Sequence, residues 1–456
     1  MTAIVEKKIL NEFIKTNPKL WIKNILDDLK KLGYNEIPKY NSKENITIEP
    51  FYTDNIKSID SKYPNSWSIA QKIDVNNSLV ANSKALELIK KGANSIHFNI
   101  QNNSISLEDL LNKIPIEKTE LFFKTKSCSN SFLKSLNKLA KDSKSFNISY
   151  DPIGLLAKSG NWECSMDDDL NSLKNKTNQL TRFKNLIVVE SGLYQNAGAN
   201  IFEEIAFSLS HANEYLNFLN GDVANKIAFN ISIGPNYFFE IAKLKALKIL
   251  WEAITNKYKN TVSSPHIIAT PSKRNKTIYE YNNNILRTTT ECMSAIFGGA
   301  NTISNITYDN IFNIENEFSK RIALNQLLII KHETNIDKVK NAADGSHYIN
   351  DLTNKIAQES LIIFKEIEKN GGFIKSLEKN IIQSRIKKSH KVEQKLFNEA
   401  KEKLIGINIY SDLDRKIKPE ITKDILKPKI KINTIIEPVS EIRLAEKIEL
   451  SRINNE

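Results

Sequence analysis

The sequence predicts an α/β fold, a (β/α)8 TIM barrel with an N-terminal helical arm and C-terminal helices. Three observations predict it. Eight short apolar runs alternate with amphipathic periods over about 240 residues, the count and span of a closed barrel. The run Leu186–Val189 is continuously apolar, as in a parallel strand buried on both faces. Two units enter their strands with nearly the same words, GANSI at 92–96 and GANTI at 299–303. In each, a glycine supplies the left-handed residue that ends a helix, and a strand starts at once.

The elements follow in order. Asn17 caps a first helix with Pro18 at its first position, and Gly33 stops it. Its stripe of Leu20, Trp21, Ile25, Leu29 and Leu32 needs a surface to lie on, its own barrel or another chain. Residues 1–64 therefore read as an arm. Residues 65–310 read as the barrel, with strands at 67–73, 95–100, 120–125, 147–151, 186–190, 227–232, 266–270 and 301–305. Residues 311–410 read as helices completing that domain, at roughly 314–332, 350–370 and 373–403, and residues 411–456 as a Pro-punctuated tail. The helix at 237–254 carries Ile241, Leu244, Leu247, Trp251 and Ile254 on one face, a core-packing stripe.

Composition excludes several classes of function. No run approaches the roughly 20 apolar residues of a membrane span, and the N-terminus lacks a signal-peptide core, so a cytoplasmic protein is expected. Cys128, Cys164 and Cys292 are far apart, which indicates neither a zinc site nor a disulfide framework. The formal charge of +12 comes from Lys spread along the whole chain. Runs such as 384–404 interleave Lys with Glu and apolar residues, the pattern of a solvated helix face. No nucleic-acid partner is expected.

The stretch NLIVVESGLYQNAGANIF (185–202) has the grammar of a strand delivering a loop to the functional rim of a barrel. Asn200 and Glu203 predict a helix N-cap with a reciprocal partner, Gly221 predicts that helix's stop, and a ten-residue loop precedes it. Glu190 and Tyr194, with Lys72 from the first strand, could form an acid/base set. Salt-bridged rim residues are the plainer reading.

Longer words carry a resemblance. FFEIAKLKALKILW (238–251) resembles a signature of the methylmalonyl-CoA mutase family, approximately F-F-x-E-I-A-K-x-R-A-x-R-x-L-W. IEPFYT (48–53), SWSIAQKID (66–74), NNNILRTTTE (282–291), SKRIALNQLLIIKHE (319–333), DGSHYINDLT (344–353) and KLIGINIY (403–410) resemble further family segments in the same order. The likeness covers roughly residues 10 to 450. It implies a barrel on which acyl-CoA esters are isomerised with adenosylcobalamin.

The departures are as informative. The family's cobalt-binding His stands in an Asp-x-His-x-x-Gly loop of a flavodoxin-like domain. None of His97, His211, His266, His332, His347 and His390 has Asp two residues before it, and no such domain is expected here. Against the family's Trp-x-x-Arg-Gln-Tyr, Trp67 and Gln71 remain, Ala70 stands at the Arg position and Lys72 at the Tyr position. Against its catalytic Ser-Gly-Tyr-His-x-Gln-x-Ala-Gly-Ala, Ser191, Gly192, Gln195, Ala197, Gly198 and Ala199 remain. That loop is one residue shorter, with Leu193-Tyr194 in place of Tyr-His.

The resemblance thus implies a small, non-catalytic subunit paired as a heterodimer with a large catalytic subunit that binds the adenosylcobalamin and the acyl-CoA. On that reading the chain has no catalytic, cofactor-binding or metal-binding residue of its own. The arm around Trp21 is the candidate interface. The alternatives are a catalytic barrel that borrows a separate cobalamin-binding chain, and an unrelated barrel lyase. In active barrels of the family the CoA tail threads the axis. His97, Phe98, Phe122, Phe123, Tyr150 and Phe229 lie in strands here, and enough of them are expected to point inward to plug it.

Overall fold

The computed structural model describes residues 17–52, 63–64, 66–101, 105–125, 130–140, 146–258, 264–314, 316–423, 425 and 433–456. Eight parallel strands form one sheet: β1 (Ser68–Val75), β2 (Ser95–Ile100), β3 (Glu120–Thr125), β4 (Phe146–Ser149), β5 (Ile187–Val189), β6 (Ile227–Ile233), β7 (His266–Pro271) and β8 (Thr302–Ile303). Their order is β4-β3-β2-β1-β8-β7-β6-β5, so β8 sits beside β1. The remaining gap between β4 and β5 is bridged at Asn147 and Asn185, where Ile148 N donates to Asn185 O at 2.9 Å. All eight runs expected from the sequence are strands of this barrel.

Helices surround it: α1 (Pro18–Lys31), α2 (Gly192–Ala197), α3 (Ile201–Phe218), α4 (Tyr237–Thr255), α5 (Asn283–Phe297), α6 (His347–Lys369) and α7 (Ile381–Asn398) recur below. Asn17 caps α1 and Gly33 follows its end in the left-handed region, as expected. Trp21 meets the Phe51 ring at 3.9 Å, yet the helix stays largely exposed. The helix expected over 373–403 is two, Phe373–Glu378 and α7, separated by Asn380 at φ 59°.

The paired words GANSI and GANTI have one geometry. Gly92 and Gly299 take positive φ, and the next amide reaches back into the preceding helix. The asparagine then braces the sheet: Asn94 Oδ1 accepts from Ile69 N at 2.6 Å, and Asn301 Oδ1 from Ile267 N at 2.8 Å.

The core lies between barrel and helices. Helix α4 is buried on nearly all sides rather than along one stripe, because α6 covers the side away from the barrel. Its lysines are buried with it: Lys245 pairs with Asp344 at 2.6 Å, and Lys248 donates to Gly299 O at 2.6 Å. Residues 434–456 lie across the loops that follow the strands. Val439 N donates to Ala157 O, Ile442 N to Asn196 O and Leu444 N to Arg274 O. Cys292 is buried and Cys164 exposed, both free, while Cys128 lies outside the described residues.

Candidate functional site

In a barrel of this kind chemistry belongs at the C-terminal ends of the strands, where the loop after β5 stands. Residues 192–197 there fold as the short helix α2, not as a ten-residue loop. Gly198 ends it at φ +113°, and a Cβ added there would lie 2.7 Å from His390 Cβ, so only glycine fits. Asn200 and Glu203 then form the expected capping box that starts α3.

This short helix turns Tyr194 away from the barrel axis. Its hydroxyl lies 2.8 Å from His211 Nδ1 on α3, and His211 Nε2 lies 2.8 Å from Asp151 Oδ1 beyond β4. Tyr215 donates to the same oxygen at 2.6 Å, and Glu190 N donates to Asp151 Oδ2 at 2.9 Å. His211 thus ties the Tyr194 hydroxyl through one ring nitrogen to the Asp151 carboxylate through the other. Phe373 stacks on the imidazole at 5.2 Å. Burial and the nearby Asp151 push the Tyr194 phenol well above its ordinary range. Burial also works to raise Asp151, but His211 and Tyr215 outweigh it and hold the carboxyl low. All of these side chains are buried, so the group is a lock between strand ends and α3 rather than an open acid/base site.

Glu190 faces elsewhere. Its carboxylate pairs with Lys124 of β3 and accepts from Asn230 of β6 at 2.7 Å, and Thr270 of β7 donates to Asn230 at 3.2 Å. Burial raises its pKa and Lys124 lowers it further, leaving it below the usual carboxylate value. Lys72 lies in register with His97 at the neighbouring wall. The set Glu190, Lys72 and Tyr194 is therefore not assembled, because Tyr194 belongs to the lock behind the strands. Sequence reasoning missed Lys124, Asn230, Asp151, His211 and Tyr215. The pair Asp151-Pro152 was a legible signal, an N-cap followed by proline at the first helical position.

Below this rim apolar side chains enter the lumen. Phe122 of β3, Val188 of β5, Ala228 of β6 and Ile268 of β7 form a cluster apart from the main core. The strands β5, β6 and β7 are neighbours in the sheet, whereas β3 pairs with none of them, so Phe122 reaches the other three across the axis and the four mark a lumenal layer. His97 packs on Phe122 at 4.4 Å and His266 at 5.8 Å. Burial, helped by Lys72, depresses His97 to about 3, and burial against the pull of Glu120 depresses His266 to about 4. Of the six residues expected to plug the axis, His97 and Phe122 do so. Phe98, Phe123, Phe229 and Tyr150 belong to the core outside the barrel, as in the contact of Phe229 with Trp251 at 5.1 Å.

A separate cavity of about 730 Å³ opens beside the mouth, between the α2–α3 junction, the loops after β6 and β7, α6 and α7. At its base Lys243 bridges Glu204 at 2.8 Å and Glu240 at 2.5 Å and donates to Ser232 O at 2.6 Å. Burial raises the Glu204 carboxyl, with Lys243 opposing. Arg274 meets Glu393 at 2.6 Å, Ile442 O at 2.9 Å and His390 Nδ1 at 2.9 Å.

Two residues at the mouth depart from the resembling pattern. Lys72 stands where the resembling pattern has an aromatic wedge, and the residue at the position of the thioester-binding histidine is locked in the core. Among the described residues no three of His, Cys, Asp and Glu converge to hold a metal ion. No described helix is long and apolar enough to cross a membrane.

Comparison with known proteins agrees with the resemblance. The family model for methylmalonyl-CoA mutase matches residues 106–435. The methylmalonyl-CoA mutase small subunit of Porphyromonas gingivalis is 30% identical across 99% of this chain and 79% of its own length. Matches to longer relatives are partial. The mutase of Rhizobium meliloti is 32% identical over 50% of this chain and 33% of its own length. The large subunit from Propionibacterium freudenreichii subsp. shermanii is 31% identical over 53% and 34%.

Proposed function

The chain belongs to the methylmalonyl-CoA mutase family, and from that premise we propose that it is the small, non-catalytic subunit of a cytoplasmic heterodimer. In the proposed complex the large subunit binds adenosylcobalamin and the acyl-CoA, and interconverts (R)-methylmalonyl-CoA and succinyl-CoA. No residue of this chain takes part in the chemistry. One observation carries the reading: the side chain at the catalytic-loop position, Tyr194, is turned into a buried lock with His211 and Asp151 instead of toward the lumen. The layer of Phe122, Val188, Ala228 and Ile268 supports it, since apolar side chains there narrow the axis that a CoA tail would need. The exposed arm helix α1, with Leu20, Trp21 and Ile22 open to solvent, suits an element that lies on a partner.

The test is co-expression with a full-length, cobalamin-containing large subunit, followed by assays of assembly, cobalamin content and isomerase rate. The two chains are expected to co-purify, with cobalamin and turnover following the large one. Cobalamin-dependent turnover by this chain, supplied only with a cobalamin-binding domain, refutes the non-catalytic reading.

A further inference from the structure

The cavity beside the mouth makes an unusual demand. The buried ionic groups at its base are paired within the chain, Lys243 with Glu204 and Glu240, and Arg274 with Glu393. What remains uncovered is a set of apolar side chains edged by the exposed charges Glu359, Glu366 and Lys388. Leu286 is 69% exposed, Val392 53%, Ile362 52% and Ile405 47%, and all four line the same cavity. Apolar side chains gathered around one concavity mark a surface that another element covers.

The walls say what kind of element. Two facing walls are α6 and α7, joined through the short helix Phe373–Glu378, while Leu286 stands on α5 and Ile405 beyond the end of α7. On α6 the lining residues Glu359, Ile362, Ile363 and Glu366 recur at helical spacing, and on α7 so do Arg385, Lys388, Val392 and Leu396. Arg385 reaches Glu366 across the gap at 3.0 Å, which closes one end where the two helices are joined. From Lys388 to Leu396 the remaining α7 wall is about 12 Å long, two turns of helix at 1.5 Å per residue. One wall is acidic at its edge and the other basic.

We propose that this groove receives an amphipathic helix of the partner subunit, about two turns long. Its apolar stripe fills the space between Ile362 and Val392, with basic residues along the edge that faces α6 and acidic residues along the edge that faces α7. The proposal rests on the heterodimer reading and adds the site and chemistry of one contact.

The experiment co-expresses the full chain with a full-length large mutase subunit. It compares the unaltered chain with Ile362→Asp/Val392→Asp and with the charge exchange Glu359→Lys/Lys388→Glu. These side chains are exposed, so thermal unfolding of each variant alone is expected to match the parent. Recovery of the large subunit is expected to fall at least tenfold for the first variant and severalfold for the second. A photo-cross-linking residue at position 392 is expected to capture a helical segment of the large subunit. Undiminished assembly of both variants overturns the groove while leaving the heterodimer intact. So does a cross-link to residues 1–16 of this chain or to a second copy. Failure of the unaltered chain to assemble overturns both.

Discussion

His97 gives the sharpest test of a filled lumen. Its ring packs on Phe122, its Nε2 is buried with no hydrogen-bond partner among the described residues, and burial with the nearby Lys72 depresses its pKa to about 3. In the unfolded chain a histidine titrates near 6.5. Between those values the unfolded state binds the extra proton, so the neutral ring's contribution is complete above about pH 6.5 and declines as pH falls toward 3. Linkage puts the loss at roughly 1.4 kcal/mol by pH 5.5 and roughly 2.7 kcal/mol by pH 4.5, relative to pH 7.5. The other titrating groups facing this ring are Lys72, Glu120, His266 and Glu190. They are common to parent and variant, so comparison with His97→Leu isolates the imidazole. Leucine keeps most of the volume, and its own effect at neutral pH is expected within about 1.5 kcal/mol. The assay is urea unfolding followed by tryptophan fluorescence at pH 7.5, 6.5, 5.5 and 4.5. The stability difference between the two proteins is expected to move in favour of the variant by about 2.7 kcal/mol across that range. A difference constant to within about 0.5 kcal/mol means that His97 is protonated or solvated in the native state, and the closed lumen is wrong.

Three further outcomes follow from the same contacts. Asp151→Asn removes the charge that accepts from His211 and Tyr215, and the urea midpoint should fall by the equivalent of about 2–3 kcal/mol. Lys243→Met leaves Glu204 and Glu240 facing each other without their shared cation, so a loss of about 3–5 kcal/mol is expected, or failure to accumulate as folded protein. The isolated chain should show no stoichiometric binding of a CoA ester by calorimetry, and measurable one-to-one binding contradicts the plugged axis.

The barrel was legible because parallel strands are short, apolar and separated by amphipathic periods, and all eight fell where those runs stand. The parity of each strand was not. A strand buried on both faces offers two apolar sets, and nothing local says which faces the axis. Phe122 and Phe123 are adjacent and equally apolar, yet one lines the lumen and the other packs against Phe98 at 5.8 Å on the outside. The two GAN words declared their glycines as helix stops. The role of the asparagine was hidden because the amide that donates to it is on the neighbouring strand, at Ile69 or Ile267. The lock around Asp151 was illegible for the same reason, since His211 is 60 residues away and looks like one polar position in an apolar helix.

The lock and the lumenal layer are separate departures from the resembling pattern, and that separation bears on the proposed non-catalytic role. Tyr194 is withheld by its partners on α3 and beyond β4, a matter of packing behind the strands. The axis is filled by β3, β5, β6 and β7 side chains that touch none of those partners by hydrogen bond. Restoring a histidine at position 194 would place a second imidazole against His211 and leave the bore closed. Widening the bore at Phe122 and Ile268 would leave the rim without its electrophilic donor. On the proposed reading, one substitution at either place leaves the other unchanged. Under the proposed function, a subunit role is what keeps such a barrel folded.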